Sequence, residues 1–207
     1  MKTIKFLTLS FIVSVCIACG EDENGPALEI EAQTISNIKA TQSADYSTNP
    51  PTITGDYIRF SFETGTTTTT DNWDVAFRGS TILVNGGTAT ADDQPTRTGN
   101  AGVYITTGTL ASVTDVNTSS FSQDDAESGL AITTGSGNGW YTYDAATHII
   151  SPIAGKILVV KTNRGNYAKF EILNYYENSE PNEDLSNSQY YTFNYVYQPN
   201  TGITTFQ

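Results

Sequence analysis

The sequence is poor in the side chains that most often hold metals. Its 207 residues contain one His, one Met and two Cys. The Met is Met1, and both cysteines, Cys16 and Cys19, stand near the start of the chain. A zinc centre of Cys and His needs several such ligands, so counting alone excludes it. Basic residues are scarce as well: Lys and Arg total 10 against 22 Asp and Glu, a net charge of -12. A surface of that sign repels a phosphate backbone, which argues against nucleic acid as a partner. Long apolar runs are missing too. The stretch from Phe6 to Ile17 is far shorter than the ~20 residues that cross a bilayer as a helix, and no heptad repeat or long amphipathic pattern follows it.

What is present points to strands. Thr, Ser, Asn and Gly are abundant, and 12 Tyr and 9 Phe supply bulk that favours pleated, half-buried surfaces. Ile58, Phe60 and Phe62 alternate with Arg59, Ser61 and Glu63, which predicts a strand with one apolar face. The run Trp73 to Arg78 repeats the pattern, with Trp73, Val75 and Phe77 expected inward and Asp74 and Arg78 outward or paired. Ile82-Leu83-Val84 then meets Asn85-Gly86-Gly87, where the chain must turn. Val103-Tyr104-Ile105 reads as another strand. Ile157 to Thr162 and Tyr167 to Ile172, joined by Asn163-Arg164-Gly165-Asn166, predict a hairpin. Tyr190 to Tyr197 closes the series, with Tyr191, Phe193, Tyr195 and Tyr197 on one face. Two polar stretches, Thr88 to Asn100 and Ser112 to Gly139, read as long loops, the second with room for one helical turn near Asp124 to Glu127. The expected class is therefore all-β: a single domain with long loops and little helix, to which the family resemblance given below adds a largely antiparallel fold with the loops at one end.

The N-terminus has the marks of export. Lys2 and Lys5 precede the apolar run, and Ala18-Cys19 resembles the cleavage box of bacterial lipoproteins, in which Cys19 becomes the acylated first residue. Glu21-Asp22-Glu23-Asn24 resembles the surface-export tag of lipoproteins in the Bacteroidota. The expected organisation is a signal peptide at 1–18, a lipidated, acidic tether at 19–34 and a β domain at 35–207. The expected location is the outer membrane, lipid-anchored and facing outward. Cys16 leaves with the signal, so the mature chain has no disulfide and rests on its core.

Several segments together, in order, resemble the HmuY family of Bacteroidota lipoproteins: Trp73 to Arg78, Asn85-Gly86-Gly87, Gly139-Trp140-Tyr141-Thr142-Tyr143, Lys161 to Lys169, and Tyr175-Tyr176. The resemblance covers roughly Ile35 to Phe206. It implies an antiparallel β fold whose loops form a haem-binding cleft at one end. It also implies a role in taking haem, or a related porphyrin, and passing it to a TonB-dependent outer-membrane receptor. Haem iron takes axial ligands such as His, Met, Tyr or thiolate, and the family's haem binders use a His pair or Met residues. This mature chain has one His and no Met, so those pairs within one chain are excluded. Three arrangements remain: His148 alone, a Tyr ligand, or two chains sharing one haem. His148 is the candidate iron ligand, with Tyr141 and Tyr143 as further haem contacts. Against this, His148 in Asp144 to Pro152 reads equally as a capping or solvent-facing residue, and both tyrosines as packed aromatics.

Other chemistries find no signature. From Asp115, Asn117 and Ser119 fall at calcium-loop spacing, but Ser120 stands where Gly is needed and Ala126 where the bidentate Glu belongs. Gly135-Ser136-Gly137-Asn138-Gly139 lacks dinucleotide spacing and opens no helix. Neither a Gly-x-Ser-x-Gly elbow for a triad on His148 nor a recognisable carboxylate pair is present. The expectation is a binding protein, not an enzyme. The alternative to haem carriage is a family member that has lost haem ligation and binds a protein or glycan.

Overall fold

The computed structural model describes residues 27–207, so the signal segment, Cys19 and the acidic cluster lie outside the described residues. Thirteen strands follow one another: β1 (Ala32–Lys39), β2 (Ser43–Asp45), β3 (Thr52–Thr54), β4 (Ile58–Ser61), β5 (Thr66–Thr68), β6 (Val75–Arg78), β7 (Thr81–Val84), β8 (Gly102–Thr107), β9 (Tyr141–Tyr143), β10 (Ile150–Pro152), β11 (Lys156–Lys161), β12 (Tyr167–Tyr176) and β13 (Ser188–Gln198). Among the described residues the one helical element is a 3-10 turn at Glu177–Ser179. The first strand begins inside the stretch expected as tether.

A five-stranded sheet in the order β1-β13-β12-β11-β8 faces a four-stranded sheet in the order β5-β4-β6-β7, and every strand pair is antiparallel. The alternation read from the sequence supplies the filling. Phe60 and Phe62 of the smaller sheet meet Phe193 and Phe170 of the larger one at ring-centroid distances of 5.3 Å each, and Phe77 meets Tyr191 at 4.7 Å. Each fully buried ring contributes on the order of 2 kcal/mol relative to exposure, plus an edge-to-face term. The expected hairpin forms as β11 and β12, with Leu158 opposite Phe170 and Lys161 opposite Tyr167. The aromatic stripe of β13 buries Tyr191, Phe193 and Tyr195, while Tyr197 is partly covered.

Two expectations are corrected. Trp73 does not share a face with Val75 and Phe77: those two enter the main core, whereas Trp73 packs with Ala76 and Leu83 on the back of the smaller sheet. The period of two fails because residues 71–74 precede β6 and are not strand. The buried Asp74 carboxylate accepts the backbone N–H of Phe62 at 2.8 Å and of Asn163 at 2.7 Å, which bends the approach. Asp124 to Glu127 forms no helical turn. Asp125 Oδ1 instead accepts the N–H groups of Glu127 (3.1 Å) and Ser128 (2.8 Å), the local competition by which an Asp side chain defeats a helix.

The long loops serve as covers. On the back of the larger sheet, Ile157, Val159, Val196 and Phe206 are roofed by Leu110, Val113 and Phe121. The back of the smaller sheet is roofed by Leu130 and edged by Tyr57.

Candidate functional site

Strands β9 and β10 make a short hairpin, Tyr143 opposite Ile150 and Tyr141 opposite Pro152. The loop between them, 144–149, is closed by the N–H of Asp144 donating to the Ile149 carbonyl at 2.9 Å. Asp144 Oδ1 in turn accepts the N–H of Ala146 at 2.8 Å, and these backbone donors hold its carboxyl below the usual carboxylate range. His148 sits in this loop at φ +59, a left-handed conformation that His adopts more readily than branched residues do. That backbone turn brings its ring to Tyr143, five positions earlier: the hydroxyl of Tyr143 and Nδ1 of His148 are 2.5 Å apart. His148 is exposed and Tyr143 is 43% exposed.

His148 is among the residues lining a pocket of 220 Å³, with Gln42, Gly79, Ile150, Tyr176 and Gln189. Gln42 immediately precedes β2, so the β2–β3 hairpin and the β9–β10 hairpin both rise from the rim. Beneath the pocket lies an aromatic cluster. Trp140 is 5.6 Å from Tyr175 and 5.2 Å from Tyr191, and Tyr175 is 5.4 Å from Tyr191, all between ring centroids. Burial pushes the Tyr175 and Tyr191 hydroxyls well above the ordinary phenol range, so they remain protonated donors. Tyr191 donates to the Gly79 carbonyl at 2.9 Å and Trp140 Nε1 to the Ser80 carbonyl at 3.0 Å. Tyr176 holds the far hairpin in place, its hydroxyl accepting the N–H of Ile150 at 2.8 Å.

The three sequence candidates therefore separate. Tyr143 and His148 come together at the surface. Tyr141 does not join them: it is only 8% exposed, belongs to the main core, and its hydroxyl accepts the N–H of Gly135 at 3.2 Å. Cys19 lies outside the described residues. Gln42, Tyr175 and Tyr176 were not read as site residues. The Tyr-Tyr pair was visible as a segment, but nothing local says that β12 ends beside the β9–β10 hairpin.

One ring nitrogen of His148 is engaged by Tyr143, and Nε2 makes no hydrogen bond to the described residues. In the tautomer where Nδ1–H donates to the phenol oxygen, Nε2 presents its lone pair outward, the arrangement usual for a metal-ligating imidazole with a second partner orienting it. No group of three or more His, Cys, Asp or Glu gathers to hold a bare metal ion among the described residues. A single imidazole at a pocket rim suits an axial bond to a metal already held by a macrocycle, and not a protein-only cage.

An all-β domain with a loop-built pocket and one presented imidazole is a binding domain in form. The model of the HmuY family, described as HmuY protein, matches residues 54–195, more than half of the chain. The chain belongs to the HmuY family. Among solved structures it is similar to a protein of Bacteroides fragilis NCTC 9343 described as a lipoprotein (12% identity, 84% of this chain and 96% of that one, TM-score 0.48). It is also similar to the apo HmuY analogue of Tannerella forsythia (15%, 85% and 100%, TM-score 0.45) and to a protein of Bacteroides vulgatus ATCC 8482 described as HmuY-like and haem-binding (14%, 83% and 93%, TM-score 0.40). No curated protein matches the sequence.

Proposed function

We propose that this protein is a haem-binding lipoprotein of the outer-membrane surface. In this reading residues 1–18 are removed, Cys19 carries the lipid, and the domain takes haem or a related porphyrin and passes it to a TonB-dependent receptor. The observation that carries the haem reading is the Tyr143–His148 contact, which orients the only imidazole of the chain at the rim of an aromatic-floored pocket with Nε2 uncommitted. Membership of the HmuY family supports haem as the ligand class, and delivery to a receptor is the remainder of the proposal.

The geometry also shapes the mode of binding. At 220 Å³ the pocket falls below the ~300–1,000 Å³ typical of sites that enclose a small molecule. The pocket therefore accepts an edge of the macrocycle, and Tyr143 and the rim hairpins offer the remaining contact. With one His and no Met after Met1, His148 would be the one imidazole offered to haem iron, and any further ligand would come from a Tyr, from solvent or from a second chain.

Titrating haemin into the full chain in detergent tests this. A saturable Soret shift complete near one equivalent is expected, and its loss in His148→Ala. No saturable change in the unsubstituted chain sinks haem carriage, whereas an unchanged spectrum in His148→Ala removes only the imidazole ligand. Cys19→Ser is expected to move the protein out of the membrane fraction.

A further inference from the structure

A larger cleft than the His148 pocket lies elsewhere on the described residues. It measures 770 Å³ and lies on the back of the smaller sheet, between the β4–β5 edge and the loop that follows β7; its lining includes Asp56, Tyr57, Arg59, Thr67, Asp92 and Asp93. Arg78 lies on the same back face as Ala76, one residue from Gly79 of the His148 pocket, so both openings sit near the same end of the domain on different sides of this sheet.

Its walls are held in place from behind. The Arg78 side chain, 9% exposed, lies under the cleft with its guanidinium 4.1 Å from the centroid of the Tyr57 ring and Nη1 2.6 Å from Asp93 Oδ2. The same Nη1 reaches the Gly55 carbonyl at 3.3 Å, while Nε is buried without a partner. One buried cation thus fixes both an aromatic ring and a carboxylate that line the cleft. Gln94, on the opposite wall, is locked by two hydrogen bonds with Thr90 (3.1 and 2.8 Å) and one from Arg97 (2.9 Å). Rotamers set before binding are what a specific site requires, since they reduce the ordering cost on association.

The chemistry of the walls selects the ligand. Asp56, Asp92 and Asp93 repel anions, and the one cation on the wall, Arg59, is already turned to Asp71 at 3.6 Å and to the Thr70 carbonyl at 3.3 Å. The cleft has no imidazole or thioether to bind haem iron. Both arginines are already paired, Arg59 with Asp71 and Arg78 with Asp93, so a cation is the competing guest and hexalysine its probe. A neutral polyol uses the carboxylates and the aromatic ring together. Its hydroxyls donate to the carboxylates and exchange hydrogen bonds with the hydroxyl of Thr68, which lies opposite Arg59, and the C–H face of a sugar ring lies against the Tyr57 ring.

We infer that the Tyr57–Asp92–Asp93 cleft binds a neutral oligosaccharide. This inference stands apart from haem binding and uses none of its residues.

Isothermal titration of the full chain, in a detergent without a sugar headgroup, with a panel of neutral hexaoses (maltohexaose, cellohexaose, xylohexaose, mannohexaose and N-acetylchitohexaose) tests it. At least one hexaose is expected to bind saturably. Tyr57→Ala is expected to weaken it roughly tenfold or more through loss of the stacking face. Because Tyr57 also edges a small core cluster, exposed Asp92→Asn serves as the second variant and is expected to weaken the same hexaose several-fold. The haemin spectrum should be unchanged by saturating sugar. The inference is overturned if no hexaose of the panel binds, if both variants bind like the unsubstituted chain, or if hexalysine binds in their place with the same dependence on Tyr57 and Asp92.

Discussion

Arg97 and Asp124 form an ion pair that water does not reach: Nη2 is 2.7 Å from Oδ2, and the side chains are 2% and 0% exposed. Asp124 also accepts the N–H of Val84 at 3.1 Å and of Ala131 at 3.0 Å, so one carboxylate ties the end of β7 to both long loops. Removing the cation leaves that charge buried and uncompensated. Arg97→Met is therefore expected to lower stability by about 3–5 kcal/mol, read as a fall in the urea midpoint at unchanged slope.

Asp74 gives a pH dependence of defined sign. Burial raises its pKa above 3.8, against the two backbone N–H bonds that lower it. Between the unfolded value and the raised folded value the native state holds a proton that the unfolded chain has released. The contribution of this group is thus fully present below about pH 4 and is lost as pH rises through the folded pKa. Urea titrations between pH 4 and 7 should show the stability of the unsubstituted chain falling with pH relative to Asp74→Asn. A difference independent of pH would contradict the assignment.

The hydrogen bond between Tyr143 and His148 orients the imidazole, so its loss should weaken haem binding without abolishing it. Tyr143→Phe is expected to reduce haemin affinity by roughly 10- to 100-fold, the usual effect of losing an orienting partner. Fluorescence quenching titrations at fixed pH measure this. An unchanged affinity would place Tyr143 outside the site.

Two glycines with positive φ should respond differently. A Cβ on Gly165, in the β11–β12 turn at φ +87, meets nothing within 4 Å, so Gly165→Ala carries only the backbone cost of about 1 kcal/mol. At Gly87, φ +79, a Cβ would stand 1.9 Å from the Asp124 carbonyl oxygen, which forces backbone to move. Gly87→Ala should lower the thermal midpoint clearly more than Gly165→Ala.

The strands were legible because alternation is a local signal. Phe60 and Phe62, the β11–β12 hairpin and the Tyr191-Phe193-Tyr195 stripe each carry it within a few residues. Trp73 was misplaced because the same alternation runs on through Asp74, and only the buried bonds to Phe62 and Asn163 break it. The site was half legible. His148 stood out as the only imidazole, but its partner was settled by a six-residue loop and a left-handed backbone at His148 itself, neither of which periodicity reveals. The Arg78–Tyr57–Asp93 cluster joins residues spread over 37 positions of chain, from Tyr57 to Asp93 inclusive, and nothing in the sequence places them in one cleft.

Strand β1 enters the larger sheet with Ala32 opposite Val196 and leaves it with Lys39 opposite Tyr190, next to the Gln189 of the His148 pocket. The strand is kinked by an irregularity around Asn37, at φ +59, so it spans somewhat less than the roughly 27 Å of eight fully extended residues. Whatever grips the chain upstream of Ala27 holds the domain by one pole, and the imidazole is carried at the other. A membrane anchor upstream would thus be attached at the pole opposite the imidazole.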